Sequence, residues 1–156
     1  MTRITVITTI ALALLEISAH AEEDNTYGNP VNRTAFCYGV LASDIHWFTQ
    51  KPHHDTGLVE GVRARMIEQA NSIAASAKQR PGSEQLLSRW IQAGRRQADI
   101  DHTPNSPSAS LQERCIYQNG ANKYGDQEAE LKALECMARL DPAVAVKYAC
   151  RMDLPH

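Results

Sequence analysis

Four cysteines constrain the fold of this chain more than any other feature of its sequence. They are Cys37, Cys115, Cys136 and Cys150, in a chain of 156 residues. An even number of cysteines in a small exported domain indicates two disulfides. No two cysteines have the Cys-x-x-Cys spacing of zinc and thioredoxin-like redox sites, and the Cys-x-x-Cys-His motif of covalent haem is absent. The cysteines therefore predict a covalently cross-linked domain in which they form neither a zinc or redox site nor a haem attachment.

The N-terminal segment has the order of charges typical of a secretory signal. Arg3 precedes the uncharged, mainly apolar stretch 4–15, and Ala19-His20-Ala21 follows with small residues at the two positions that a signal peptidase reads. Twelve uncharged residues are too few for a membrane helix, which needs about 20. We therefore predict a signal peptide over residues 1–21, cleavage after Ala21, and a periplasmic or secreted protein.

Length and net charge limit the number of domains in the mature chain and the kinds of partner it can bind. Removal of 21 of the 156 residues leaves 135, which suits one domain. The net charge of −2 gives no electrostatic footprint for nucleic acid or an anionic membrane surface, and the sequence predicts no stable membrane insertion after cleavage.

Helical periodicity dominates the rest of the chain, and we expect an all-α array of five to six helices cross-linked by two disulfides. Residues 22–33 are polar and predict a flexible lead-in, which leaves 34–156 as the helical domain. Gly39 weakens the first helix by about 1 kcal/mol relative to alanine, and we interpret it as a point of close helix–helix approach.

Side chains that can cap helices predict where five of the helices start. Asp55, Ser83, Asp126 and Asp141 are the expected N-caps, and Pro142 suits the first helical position after Asp141. The spacing of Ser110 and Glu113 is that of a capping box. A run of apolar residues at helical spacing marks the second helix most clearly: Val59, Val62, Met66, Ala70, Ile73 and Ala77.

Spacing alone leaves the disulfide connectivity open among three pairings. A helical hairpin turning near Tyr124 places Cys115 and Cys136 at matching distances from the bend, which favours the pairs Cys115–Cys136 and Cys37–Cys150. The rival places Cys136 with Cys150 across the bend at Asp141-Pro142, and Cys37 with Cys115. Both alternatives join the first helix to the C-terminal third.

A histidine-rich bend is the candidate metal site. His46 ends the first helix, and His53, His54 and Asp55 open the second. Imidazole and carboxylate groups bind Zn(II) or Cu(II), so these four residues form a possible ligand set. The competing interpretation is a solvated turn in which Asp55 acts as a helix cap.

A second candidate is a basic and aromatic patch on the third helix, formed by Arg89, Trp90, Arg95 and Arg96. Arginine and tryptophan are enriched in protein interfaces, so the patch is a possible partner surface. Asp44 lies on an apolar face of the first helix and needs a cationic partner if it is buried. Arg89, Arg95 or Arg96 is the expected partner.

No catalytic or cofactor signature is present. The sequence contains neither a Gly-x-Ser-x-Gly nucleophile motif nor a phosphate-binding glycine loop. We therefore expect that the protein is not an enzyme and has no cofactor. We favour an exported protein-binding or inhibitor/immunity-type module with an unknown protein partner. The alternatives are a metal- or small-ligand-binding bundle that uses the bend from His46 to Asp55, and an envelope structural protein.

Overall fold

The computed structural model describes residues 26–51, 55–121 and 126–152. Residues 1–21, predicted as a signal peptide, lie outside these ranges. The described part contains six α-helices and no β-strand, which confirms the all-α prediction. The helices are α1 (Pro30–Thr49), α2 (Thr56–Gln79), α3 (Glu84–Asp101), α4 (Pro107–Gln118), α5 (Gln127–Leu140) and α6 (Pro142–Met152).

Three of the predicted N-caps have the expected hydrogen bonds. The Asp55 carboxylate accepts from the backbone N–H groups of Gly57 and Leu58, and Asp126 accepts from Ala129. Asp141 accepts from the N–H groups of Ala143 and Val144. These bonds satisfy donors that the first turn of a helix leaves unpaired.

Of the other two predicted caps, Ser83 is right in position only and Ser110 was wrong. Ser83 precedes α3, but its side chain makes no capping hydrogen bond. Helix α4 begins at Pro107, so the cap is Ser106, whose hydroxyl accepts from Ala109 N–H, and Ser110 lies inside the helix. Proline has no N–H to satisfy and its φ is preset for the first helical position, so Ser106-Pro107 is the better start.

The first helix starts earlier than the sequence indicated. Asn29 accepts from the N–H of Val31, and Pro30 is the first helical residue, where we expected the helical domain to begin at residue 34. The Tyr27 ring packs edge-on against Phe36 and Trp90, with ring centroids 5.3 and 4.9 Å apart. Residues 26–33, the second part of the predicted lead-in, therefore belong to the packed domain.

Two glycines let α1 and α3 approach closely. A Cβ atom on Gly39 would lie 2.0 Å from the Ile91 carbonyl oxygen, and one on Gly94 would lie 2.0 Å from that of Phe36. Both distances are shorter than any van der Waals contact, so only glycine fits at either position. Helices α1 and α3 make the most extensive helix–helix contact among the described residues. Their close approach at Gly39 confirms the interpretation of that residue.

Two clusters of buried apolar residues each contain one disulfide. The long-range cluster joins residues distant in sequence: Phe36, Cys37, Val40, Ala98 and Cys150. The local cluster joins α4, α5 and α6: Cys115, Ala133, Cys136, Met137, Val144 and Ala145. Disulfides link Cys37 to Cys150 and Cys115 to Cys136, the two pairs that the hairpin geometry favoured. Helix α6 contributes to both clusters.

Helix α2 packs mainly along α1. Val59 and Val62 at its start are buried, whereas Met66, Ala70, Ile73 and Ala77 of the same run are only half-buried. None of the described helices has the length and apolarity needed to cross a bilayer.

Candidate functional site

An open cleft of about 700 Å³ lies among the described residues. The end of α1, the start of α2, the end of α3, and helices α4 and α6 all contribute to its walls. Its charged and polar floor consists of Asp44, Asp101, His102 and Arg151. Its larger apolar and aromatic wall residues are Phe48, Leu58, Ile116 and Tyr117.

Arg151 organises the floor of the cleft. Its Nε and Nη2 atoms donate to the two carboxylate oxygens of Asp44 at 2.8 and 2.7 Å, and its Nη1 donates to Asp101 at 2.7 Å. Such a two-pronged arginine–carboxylate pair is both strong and geometrically specific. The partner of the buried Asp44 is therefore Arg151, and the expectation that Arg89, Arg95 or Arg96 would pair with it was wrong.

Lys147 extends this arrangement below the floor. Its side chain is fully buried, and its Nζ donates to Asp101 at 2.5 Å and to the Ser108 hydroxyl at 2.6 Å. Asp44, Asp101, Lys147 and Arg151 together form what we call the ionic network, with two carboxylates and two cations. The network connects α1, α3 and α6, and Ser108 extends it to α4.

The pKa directions in the network follow from burial and pairing. Burial alone raises the pKa of Asp101, but hydrogen bonds from Lys147 and Arg151 outweigh it, and the pKa is lowered. Burial lowers the pKa of Lys147 more than Asp101 restores it. Burial also disfavours the charged form of Arg151, yet its bonds to Asp44 and Asp101 prevail and its pKa is raised. Asp101 and Arg151 are therefore held in their charged forms.

His102 lies beside the network at the end of α3. Its ring stacks on Trp47 with a centroid distance of 4.3 Å and an interplanar angle of 14°. Its Nε2 lies 3.5 Å from the nearer Asp44 oxygen and makes no hydrogen bond within the described residues. The stacking fixes the imidazole against Asp44 at the edge of the cleft.

The structure describes only part of the predicted histidine-rich bend. His53 and His54 lie outside the described residues. His46 is exposed and contacts the side-chain nitrogen of Gln50 at 2.9 Å, while Asp55 uses its carboxylate as the cap of α2. Across residues 26–51, 55–121 and 126–152, no group of three or more His, Cys, Asp or Glu side chains is arranged to hold a metal ion.

The predicted patch on α3 divides between two environments. Arg89, Arg95 and Arg96 are exposed, whereas Trp90 is half-buried and packs against Tyr27 and Phe36 beside the long-range cluster. Trp90 is therefore a packing residue, and the exposed part of the patch consists of arginines alone.

Sequence reasoning missed Lys147 and Arg151. The two residues are four apart on α6 and so lie on one face of that helix. A buried Asp44 requires a cationic partner. The Cys37–Cys150 disulfide brings α6 next to α1, so the cations of α6 are within reach of Asp44. The disulfide that the sequence favoured was the signal that could have pointed to Arg151.

Comparison of the chain with protein-family models, with curated proteins and with solved structures found no match.

Proposed function

We propose that this chain is an exported, non-enzymatic module that binds a partner protein through the cleft, in the manner of an inhibitor or immunity protein. It would act in the periplasm or outside the cell after removal of residues 1–21. The observation that carries the proposal is the cleft itself: apolar walls above a floor in which Asp44, Asp101 and Arg151 are already paired with one another.

The paired floor supports recognition because it is preorganised. Arg151 donates three hydrogen bonds to carboxylates on α1 and α3, and Lys147 donates to the other oxygen of Asp101. A surface that is ordered before binding loses less conformational entropy in the complex. The Cys37–Cys150 disulfide fixes α6, which carries both cations, against α1.

The same pairing argues against proton-transfer chemistry in the cleft. A general acid or base works best with a pKa near the operating pH. The pKa of Asp101 is lowered and Asp44 accepts from the Nε and Nη2 atoms of Arg151, so each carboxylate serves a cation instead of a substrate.

Two features support export. Both disulfides are of a kind that persists in oxidising compartments, and all four cysteines are used in them. The sequence of residues 1–21 agrees with the same route.

Site-specific photo-cross-linking in the exporting cell tests the proposal. Tyr117 is 63 % exposed at the rim of the cleft, so Tyr117→p-benzoylphenylalanine reports on what occupies it. Ser72 is exposed on α2, does not line the cleft, and provides the control as Ser72→p-benzoylphenylalanine. We expect one cross-linked protein of defined mass from position 117 and not from position 72. Identical products from both positions, or none from position 117, would contradict the proposal.

A further inference from the structure

We propose that the cleft accepts a cationic side chain, lysine or arginine, carried by a partner segment with apolar residues on either side. This inference rests on the proposed function and specifies the chemistry of the partner. It follows from the balance of charge in the cleft and from the shape of the walls above it.

Carboxylates outnumber cations in the cleft. Among the described residues that line it, Asp44, Asp101 and Glu113 are carboxylates and Arg151 is the cation, with the His102 imidazole beside them. If the buried Lys147 behind Asp101 is included, three carboxylates still face two cations. Lys51 lies over the Trp47 ring and does not line the cleft. A cationic group entering the cleft therefore meets an excess of negative charge.

Arg151 does not make the cleft a site for anions. Its Nε, Nη1 and Nη2 atoms all donate to Asp44 or Asp101. An incoming carboxylate or phosphate would have to displace one of these oxygens or approach beside them, and like charges in close contact repel. Charge complementarity therefore favours a cation over an anion.

Glu113 is the carboxylate that remains available. It lies exposed on α4 at the cleft, and within the described residues it forms no ion pair. Tyr117 follows one turn later on the same helix and is also exposed, so a carboxylate and an aromatic ring stand together at the rim. A cation is attracted both by the carboxylate and by the face of the ring.

The walls suit the remainder of a long basic side chain. Phe48, Leu58 and Ile116 provide apolar surface that is half-buried in the unbound protein. Lysine and arginine place their aliphatic stems along such surfaces while the charged head reaches a polar group. Apolar residues flanking the cation in the partner would cover the rest of this surface.

A peptide titration of the mature chain, followed by NMR, tests the inference. The probes are acetyl-Leu-Arg-Leu-amide and acetyl-Leu-Gln-Leu-amide, which differ in charge at the central residue. We expect the arginine peptide to shift the amide signals of residues at the cleft and to bind about fivefold more tightly than the glutamine peptide, the upper range for an exposed charge pair.

Two matched variants locate the charge responsible. Glu113→Gln should lower the affinity for the arginine peptide about threefold and leave the affinity for the glutamine peptide unchanged. Glu84 is exposed at the start of α3, at the opposite end of that helix from Asp101, and does not line the cleft. Glu84→Gln should therefore leave both affinities unchanged. Glu113 is exposed, so the variant should keep the fold, which circular dichroism verifies.

Failure of this inference is distinguishable from failure of the proposed function. Equal affinity for the two peptides, no effect of Glu113→Gln, or no shift at the cleft with either peptide overturns the cationic specificity. The proposed function depends instead on the cross-link from position 117, which is independent of the partner's charge.

Discussion

The two apolar clusters of this protein are assembled in different ways. The local cluster is built by three consecutive helices, and its disulfide joins residues 21 positions apart. The long-range cluster brings together the first, third and last helices, and its disulfide spans 113 positions. A hairpin of neighbouring helices closes a short loop, whereas bringing the ends of the chain together costs more loop entropy. The long-range cluster therefore depends more on its cross-link.

Helix α6 connects the two clusters and carries the cations of the cleft floor. Cys150 belongs to the long-range cluster, and Val144 and Ala145 belong to the local one. Lys147 and Arg151 lie on the same short helix. The position of the cleft floor therefore depends on the contacts that α6 makes with the two clusters. Each variant proposed here changes one cluster or the connection between them.

The largest effect should come from removal of the long-range disulfide. In the chain-entropy model, the double variant Cys37→Ala/Cys150→Ala loses about 4–5 kcal/mol of unfolding free energy. Cys115→Ala/Cys136→Ala, with its shorter loop, loses about 3 kcal/mol. Urea unfolding of both variants measures the difference. A larger loss of unfolding free energy in Cys115→Ala/Cys136→Ala than in Cys37→Ala/Cys150→Ala would contradict this account.

Arg151→Met tests the ionic network. The substitution leaves Asp44 and Asp101 without their shared cation, and breaking a buried pair costs about 3 kcal/mol or more. Arg63→Met is the matched control, because Arg63 pairs with Glu60 on an exposed face of α2 and should contribute about 0.5 kcal/mol at most. Denaturant unfolding distinguishes the two. Similar losses in both variants would mean that the network is no more stabilising than a surface pair.

Gly39→Ala tests the close approach of α1 and α3, the helices that frame the long-range cluster. The added methyl would collide with the Ile91 carbonyl and force α1 and α3 apart, at a cost of about 2–3 kcal/mol. Gly57→Ala is the control, because Gly57 is exposed at the start of α2 and an added Cβ meets only the Asp55 side chain within 4 Å. Thermal unfolding of both variants measures the cost. An unchanged melting temperature in Gly39→Ala would show that the helices do not approach as closely as described.

The smallest effect concerns acidification. The pKa of Asp101 is lower in the folded than in the unfolded state, so its contribution to stability is complete above its unfolded pKa and is lost as pH falls through the folded pKa. Between pH 7 and pH 3, the unfolding free energy of the wild type should fall more steeply than that of Asp101→Asn. Parallel curves in denaturant titrations would contradict the lowered pKa.

Much of the fold was predictable because its signals are local. Helical periodicity, the capping aspartates at 55, 126 and 141, and Gly39 each depend on a few neighbouring residues. The start of α1 was placed too late because Asn29-Pro30 lies in a polar segment, and only the packing of Tyr27 on Phe36 and Trp90 shows that the segment belongs to the domain.

The cleft was not predictable from spacing. Asp44, Asp101 and Arg151 meet only because three helices distant in sequence pack together, and one sequence carries no direct record of such contacts. The patch on α3 was predicted from its residue types, which do not show that Trp90 and Arg89 point in different directions on the helix, Trp90 towards the long-range cluster and Arg89 outwards. The chemistry of Asp44 correctly indicated a buried ion pair, but not its partner.

Disulfide mapping of the protein recovered from its own exporting cell tests the central claim most directly. The claim is that an exported domain is closed by a link between α1 and α6, which fixes the cleft floor. Mass spectrometry of unreduced peptides should find an N-terminus at Glu22 and the pairs Cys37–Cys150 and Cys115–Cys136. Free thiols, or a Cys136–Cys150 link, would contradict the account.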